Sequence, residues 1–358
     1  MSDYSPNIAD IETAAQNLDG IAVRTPLLKS VRLSELYEAK VFIKREDLQV
    51  VRSFKIRGAY NKMVELSNRD KGHGVVCASA GNHSQGVAFA CANLGIKGTI
   101  FMPTTTPVQK IYQTRKYGGS TIDIVLSGDN FDAALFAAQL YQKKHRSILV
   151  HPFDDPKVIE GQATVAKEIF EDASDPIDYL LFPLGGGGLA AGVSSYFQQL
   201  SKRTRLIGVE PAGAAAMKQS IAAGINTTLT DIDTFSDGAA VKRVGDRGFN
   251  ICQKTLDRII TVPEGRTCSE ILKLYNDDAI IAEPAGALSI AALEEIKNDI
   301  RGKHVVCILS GGNNDIGRIE EIKARSRLFE GRDVLSGNTA SQLPPRKDFV
   351  NTVNVNAL

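Results

Sequence analysis

Short runs dense in β-branched and apolar residues alternate along this chain with longer stretches whose apolar positions recur every three or four residues. The short runs predict strands at Ala39–Lys44, Gly74–Ala78, Gly98–Met102, Ile122–Leu126, Ser147–His151, Tyr179–Pro183, Arg205–Val209, Arg258–Val262 and His304–Leu309. Helical spacing predicts Gly86–Leu94, Pro107–Tyr117, Asn130–Lys143, Val158–Glu171, Gly192–Leu200 and Cys268–Asp278. Such alternation predicts an α/β fold, with parallel-rich sheets flanked by helices. So many strands rarely stay in one open sheet, so two sheets are expected. Residues 74–151 read as a small domain inserted into a larger one built from 1–73 and 152–325. The remainder, 326–358, reads as a loosely ordered C-terminal tail, with linker chemistry at Gly337–Ser341 and Pro344-Pro345.

Composition narrows the function classes. The 358 residues are 43% hydrophobic and 23% charged, with a net charge of +1 and no basic block, which argues against nucleic acid or an anionic membrane as partner. No apolar run reaches the length of a membrane span, and the first 18 residues carry acids but no lysine or arginine, unlike a targeting peptide. Five scattered cysteines lack metal-ligand spacing and sit mostly in apolar runs, as buried reduced thiols would. A cytoplasmic protein acting on a small molecule is expected.

One lysine stands apart from the rest. Ser53-Phe54-Lys55-Ile56-Arg57-Gly58-Ala59 puts Lys55 where a helix begins, between a ring and an aliphatic side chain. Desolvation there would lower its pKa and make it a nucleophile or base, as Schiff-base chemistry requires. Three glycine-bearing loops follow predicted strands. Gly185-Gly186-Gly187-Gly188-Leu189 opens a helix and fits a phosphate on backbone N–H groups. The same loop also satisfies a dinucleotide fingerprint, with Glu210 ending the next strand, so alone it does not choose between the two ligands. Ser79-Ala80-Gly81-Asn82-His83 fits a carboxylate at a helix start, or simple capping. Ser310-Gly311-Gly312-Asn313 lies where α/β sheets bind ligands. Glu283, before another helix, either orients a ligand or faces solvent. An aldehyde for Lys55, a phosphate for the glycines and a ring heteroatom for Ser310 together describe pyridoxal 5'-phosphate.

These residues resemble the fold type II pyridoxal-phosphate enzymes (tryptophan synthase β-like), and among them the threonine and serine ammonia-lyases and serine racemases. The resemblance spans about Ile8 to Glu330 through SFKIRGA (53–59), SAGNHSQGVA (79–88), HPFDDP (151–156), EGQAT (160–164), GGGGLAAG (185–192), GVEPAGA (208–214), DGAAVK (237–242), EPAGA (283–287) and SGGN (310–313). The nearest branch is the isoleucine-pathway threonine ammonia-lyases.

The resemblance implies that Lys55 binds the cofactor aldehyde, with Phe54 beside it. It implies that Asn82 bonds the cofactor's 3-hydroxyl, that Gly185 to Leu189 hold its phosphate, and that Ser310 faces its pyridine nitrogen. Ser79, Ala80, Gly81 and His83 would receive the substrate carboxylate. Phe153 stands where racemases carry asparagine and would line the substrate methyl group. Ala80 replaces a proton-donating serine of racemases, which disfavours racemisation. Of a racemase cation site, Glu210 matches but Ala216 stands in place of aspartate, so no metal is expected. The implied reaction is α,β-elimination on L-threonine and L-serine by a homodimer or homotetramer. Serine racemase, a cofactor-binding pseudoenzyme and a nicotinamide-dependent dehydrogenase are the rival readings. Because the chain ends shortly after the neck Ile319–Gly331, feedback control by isoleucine is expected to be weak or absent.

Overall fold

The computed structural model describes residues 4–332. Ten strands are present among them: β1 (Leu27–Lys29), β2 (Lys40–Arg45), β3 (Val75–Ala78), β4 (Gly98–Met102), β5 (Ile122–Leu126), β6 (Ile148–Leu149), β7 (Tyr179–Pro183), β8 (Arg205–Pro211), β9 (Arg258–Val262) and β10 (His304–Leu309). They form two sheets, ordered β1-β2-β10-β7-β8-β9 and β5-β4-β3-β6. Every pairing is parallel except that of β1 with β2. The short edge strand β1 escapes periodicity, because three residues carry too little alternation to register. Strand β6 stops at Leu149, ahead of the predicted His151, where the chain turns through Pro152.

The central strands of each sheet are buried on both faces, as parallel topology demands. In β10, Val305, Cys307 and Leu309 enter one core while Val306 and Ile308 enter the opposite one. In β3, Val75 and Cys77 face one layer of the smaller sheet, and Val76 and Ala78 face the other. This period of two on both faces reads in sequence as an unbroken apolar run. All five cysteines are buried and unpaired. Helix Ile319–Phe329 crosses the expected tail boundary at 326, and the rest of that tail, from 333, lies outside the described residues.

Helix Lys55–Val64 joins the two sheets. Its later residues Ala59, Tyr60 and Met63 pack in the core of the smaller sheet. Its start is tied to the larger one: Phe54 N–H donates to the Ser310 carbonyl at 3.1 Å, and Gly312 N–H to the Arg52 carbonyl at 2.9 Å. Helix Pro156–Asp172 lies so close that a Cβ on Gly58 would meet Gln162 Nε2 at 2.3 Å. That contact explains the small Gly58-Ala59 pair. Arg57, fully buried, anchors the helix through Glu46 at 2.8 Å and Glu168 at 2.6 Å. The site that Lys55 opens onto therefore sits on the seam between the sheets, held from both sides.

Candidate active site

A cavity of about 930 Å³ lies between the sheets. The residues that the resemblance assigns to cofactor and substrate all line it: Phe54, Lys55, Ser79, Ala80, Gly81, Asn82, His83, Phe153, Gly185, Gly186, Gly187, Gly188, Leu189 and Ser310. Three of its walls are loops leaving the C-terminal ends of β3, β7 and β10, the edge at which parallel sheets gather ligands. Residues scattered over more than 250 positions of sequence thus meet because each follows a buried strand.

Lys55 is the first residue of its helix, and its Nζ donates to the Pro152 carbonyl oxygen at 2.7 Å. The Phe54 ring lies 5.3 Å from the same nitrogen. Burial lowers the Lys55 pKa to about 8, against the opposing pull of Glu283. A neutral amine is therefore within reach near physiological pH.

The tetraglycine loop ends in a turn that only glycine enters easily. Gly187 has φ +96° and caps helix Gly188–Leu200, whose first N–H groups have no acceptor within the helix. A Cβ on Gly186 would fall 2.2 Å from the Phe153 ring, so the loop lies flat beneath that side chain. A bare helix start lined by glycine suits a phosphate dianion. These residues fit pyridoxal phosphate: an amine of depressed pKa for the aldehyde, a helix start for the phosphate, and the Ser310 hydroxyl in the same cavity.

On the opposite wall, helix Asn82–Leu94 begins at the Ser79–His83 loop. His83 is 2% exposed, and its Nε2 lies 2.8 Å from the Val150 carbonyl, which makes that nitrogen the protonated one. Burial and the neighbouring Lys55 charge lower its pKa to about 3, so the ring is neutral at working pH. Asn82 Nδ2 donates to Glu283 Oε1 at 2.5 Å.

Glu283 is 5% exposed and does not face solvent. Burial and the nearby Asp237 carboxylate raise its pKa to about 7. The sequence leaves Glu283 open between ligand and solvent and gives Asn313 no role within its loop; in the structure Asn313 meets Asn82 from the other side at 2.7 Å. The spacing of the SGGN and EPAGA motifs was the available signal. Only the fold shows that they touch.

Glu210 is spent elsewhere. Its two carboxylate oxygens accept from Met217 N–H at 2.7 Å and Lys218 N–H at 2.9 Å, at the start of helix Ala216–Ala223. Fully buried and committed to that helix, it is not free to hold a ribose, and the dinucleotide reading loses its acid.

Comparison with known proteins agrees with this geometry. The chain is 54% identical over 324 residues to a protein of Halalkalibacterium halodurans named L-threonine dehydratase biosynthetic IlvA, covering 90% of this chain and 78% of that one. It is 52% identical over 324 residues to the Bacillus subtilis protein of the same name, covering 90% and 77%. Among solved structures, the processed form of threonine deaminase isoform 2 from Solanum lycopersicum superposes with a TM-score of 0.85 at 38% identity, covering 90% of each chain. Maize serine racemase follows at 0.84 and 30%, covering 92% of this chain and all of that one. The family model described as pyridoxal-phosphate dependent enzyme matches residues 19–311, and the chain belongs to that family.

Proposed function

We propose that the protein converts L-threonine to 2-oxobutanoate and ammonia, and L-serine to pyruvate and ammonia. One observation carries the reading: a lysine amine with its pKa lowered to about 8 opens onto the same cavity as a glycine-lined helix start. The threonine dehydratase and threonine deaminase names among the relatives support L-threonine as a substrate.

Lys55 would hold the cofactor aldehyde, Gly185 to Leu189 its phosphate, Asn82 its 3-oxygen, and Ser310 its ring nitrogen. When bound, pyridoxal phosphate supplies a conjugated ring that takes up the electron pair left as the substrate's α C–H bond breaks. The Lys55 amine, kept neutral enough to accept by its apolar surroundings, would be the base for that α-proton. The start of helix Asn82–Leu94, with Ser79 and Gly81, receives the substrate carboxylate. Phe153, its ring T-shaped against His151 at 4.7 Å, is the apolar wall for the threonine methyl. One methyl group separates the two substrates, so discrimination is worth about 1–3 kcal/mol.

Ala80 has no proton to deliver to the substrate's other face, which supports elimination over racemisation. We assign the enzyme to a reducing, cytoplasmic setting, which the five buried thiols support, and take it to act as a homodimer or homotetramer. No helix among the described residues is long and apolar enough to cross a membrane.

The test is a steady-state comparison of L-threonine, L-serine and D-serine, with ammonia and 2-oxoacid measured together and the chirality of recovered serine determined. Equal release of ammonia and 2-oxobutanoate from L-threonine is expected. Racemised serine without 2-oxoacid would overturn the assignment.

A further inference from the structure

Side-chain amides carry an ambiguity, since their two ends are alike in shape but opposite in hydrogen bonding. Asn82 sits on the cavity wall, where the wrong end would present an oxygen to an oxygen of the ligand. Its neighbours remove the ambiguity. Asn313 Nδ2 lies 2.9 Å from the Val51 backbone carbonyl, which only accepts, so that atom must be the donor end of Asn313. The same nitrogen lies 2.7 Å from Asn82 and 3.0 Å from Gln85 Oε1. The Asn82 atom facing it is therefore the oxygen. Asn82 Nδ2 is left facing Glu283 Oε1, an acceptor, at 2.5 Å. Among the described residues, no protein acceptor takes its second N–H.

The surrounding backbone is shaped to keep this pair together. A Cβ on Gly311 would fall 2.4 Å from Glu283 Oε1 and 3.3 Å from Asn82 Nδ2. Glu283 N–H donates to the Gly311 carbonyl at 3.2 Å, and Glu283 begins helix Pro284–Ala291. Three loops from distant parts of the chain are thus stitched at one amide.

We propose that Glu283 and Asn313 are positioning residues that lock the Asn82 amide in a single orientation, so that its free N–H meets the cofactor's 3-oxygen. This rests on the reading of Asn82 given above. Glu283 serves in either protonation state, because a proton on its other oxygen leaves Oε1 able to accept. The lock does not depend on charge. It depends on an acceptor on one side of Asn82 and a donor on the other.

Asn313→Asp reverses the donor side with little change in size, and Glu283→Leu removes the acceptor side. Glu283→Gln keeps an acceptor. Each variant is prepared without cofactor, checked for wild-type circular dichroism, and titrated with pyridoxal phosphate while the visible absorption band is followed. Asn313→Asp and Glu283→Leu are expected to weaken cofactor binding about 10-fold and to displace the band, since one charge-assisted or neutral hydrogen bond is lost. Glu283→Gln should stay near wild type. In an Asn82→Ala background, neither Asn313→Asp nor Glu283→Leu should weaken binding further, because both act through Asn82.

Wild-type affinity and band in both single variants would overturn the proposal. So would additive losses in the Asn82→Ala background, or a Glu283→Gln loss as large as that of Glu283→Leu. Should Glu283→Leu fail to fold, Asn313→Asp and its double variant with Asn82→Ala decide alone. Failure of the wild-type protein itself to bind the cofactor would instead remove the underlying reading of the site.

Discussion

Lys55 Nζ and the Pro152 carbonyl oxygen lie 2.7 Å apart, across the seam where the chain leaves the smaller sheet and starts helix Pro156–Asp172. That single acceptor partly compensates an amine otherwise set among Phe54 and buried backbone. Burial still wins, and the pKa falls to about 8. The consequence is reactivity bought with stability.

The sign of that trade is measurable. A lysine whose folded pKa lies below its ordinary 10.5 binds fewer protons in the folded than in the unfolded chain between about pH 8 and 10.5. Stability of the cofactor-free protein from this group therefore rises with pH across that window. Replacing Lys55 with Met removes the penalty, and cofactor-free Lys55→Met is expected to gain at most about 3 kcal/mol at pH 7, less as solvent in the cavity screens the amine. The gain should vanish above about pH 10. Urea unfolding at several pH values reads it out, and a pH-independent difference would contradict the assigned pKa.

Gly186→Ala places a methyl group into the Phe153 ring. Overpacking of this kind costs about 1–3 kcal/mol, and here it acts on the loop assigned to the phosphate. Cofactor affinity is expected to fall about tenfold or more, with most of the loss recovered in Gly186→Ala combined with Phe153→Leu. Equilibrium dialysis against pyridoxal phosphate checks both variants.

Much of this site is legible in sequence because loops after buried strands carry their own chemistry. The tetraglycine turn, the lysine at a helix start and Ser310 behind β10 each announce a local need that the fold then meets. What local pattern cannot supply is the partner of a buried charge. Lys44 reads as one more polar position in a strand, yet it is fully buried and donates to Glu168 and to the Thr25 carbonyl, both at 2.6 Å. Arg57 pairs with Glu46 and Glu168, the latter more than 100 positions away. Glu283 reads in sequence as equally able to face water, and only its burial beside Asn82 and Gly311 in the fold shows that it does not. Strand ends at β3 and β6 moved by a residue or two, as expected where backbone pairing rather than side-chain pattern sets the limit.

Breaking the buried network should be costly. Arg57→Met leaves Glu46 and Glu168 without their common partner and is expected to destabilise the protein by about 3–5 kcal/mol. Arg57 holds the Glu46 carboxyl below its ordinary 4.5, outweighing burial, so in the wild-type protein this contribution is present above pH 4.5 and lost as pH falls through the lower folded value. The gap between wild type and Arg57→Met should therefore narrow as the solution is acidified below the ordinary carboxyl value of 4.5. Denaturation curves at pH 7 and at successively lower pH below 4.5 test it, and a gap that stays constant throughout would contradict the pairing.

Ala80 decides what the site leaves undone. Ala80→Ser supplies a hydroxyl on the cavity wall, and D-serine is expected to appear alongside pyruvate when the variant is given L-serine. Chiral chromatography of recovered serine is the readout. Unchanged chirality would remove position 80 from the choice between elimination and racemisation.

The most direct test of the account treats the cofactor-loaded protein with borohydride and maps the resulting pyridoxyl mass by peptide mass spectrometry. The label is expected on Lys55 alone, with loss of colour and of ammonia release from L-threonine in step with it. A label on any other lysine, or full turnover by Lys55→Ala, would contradict it.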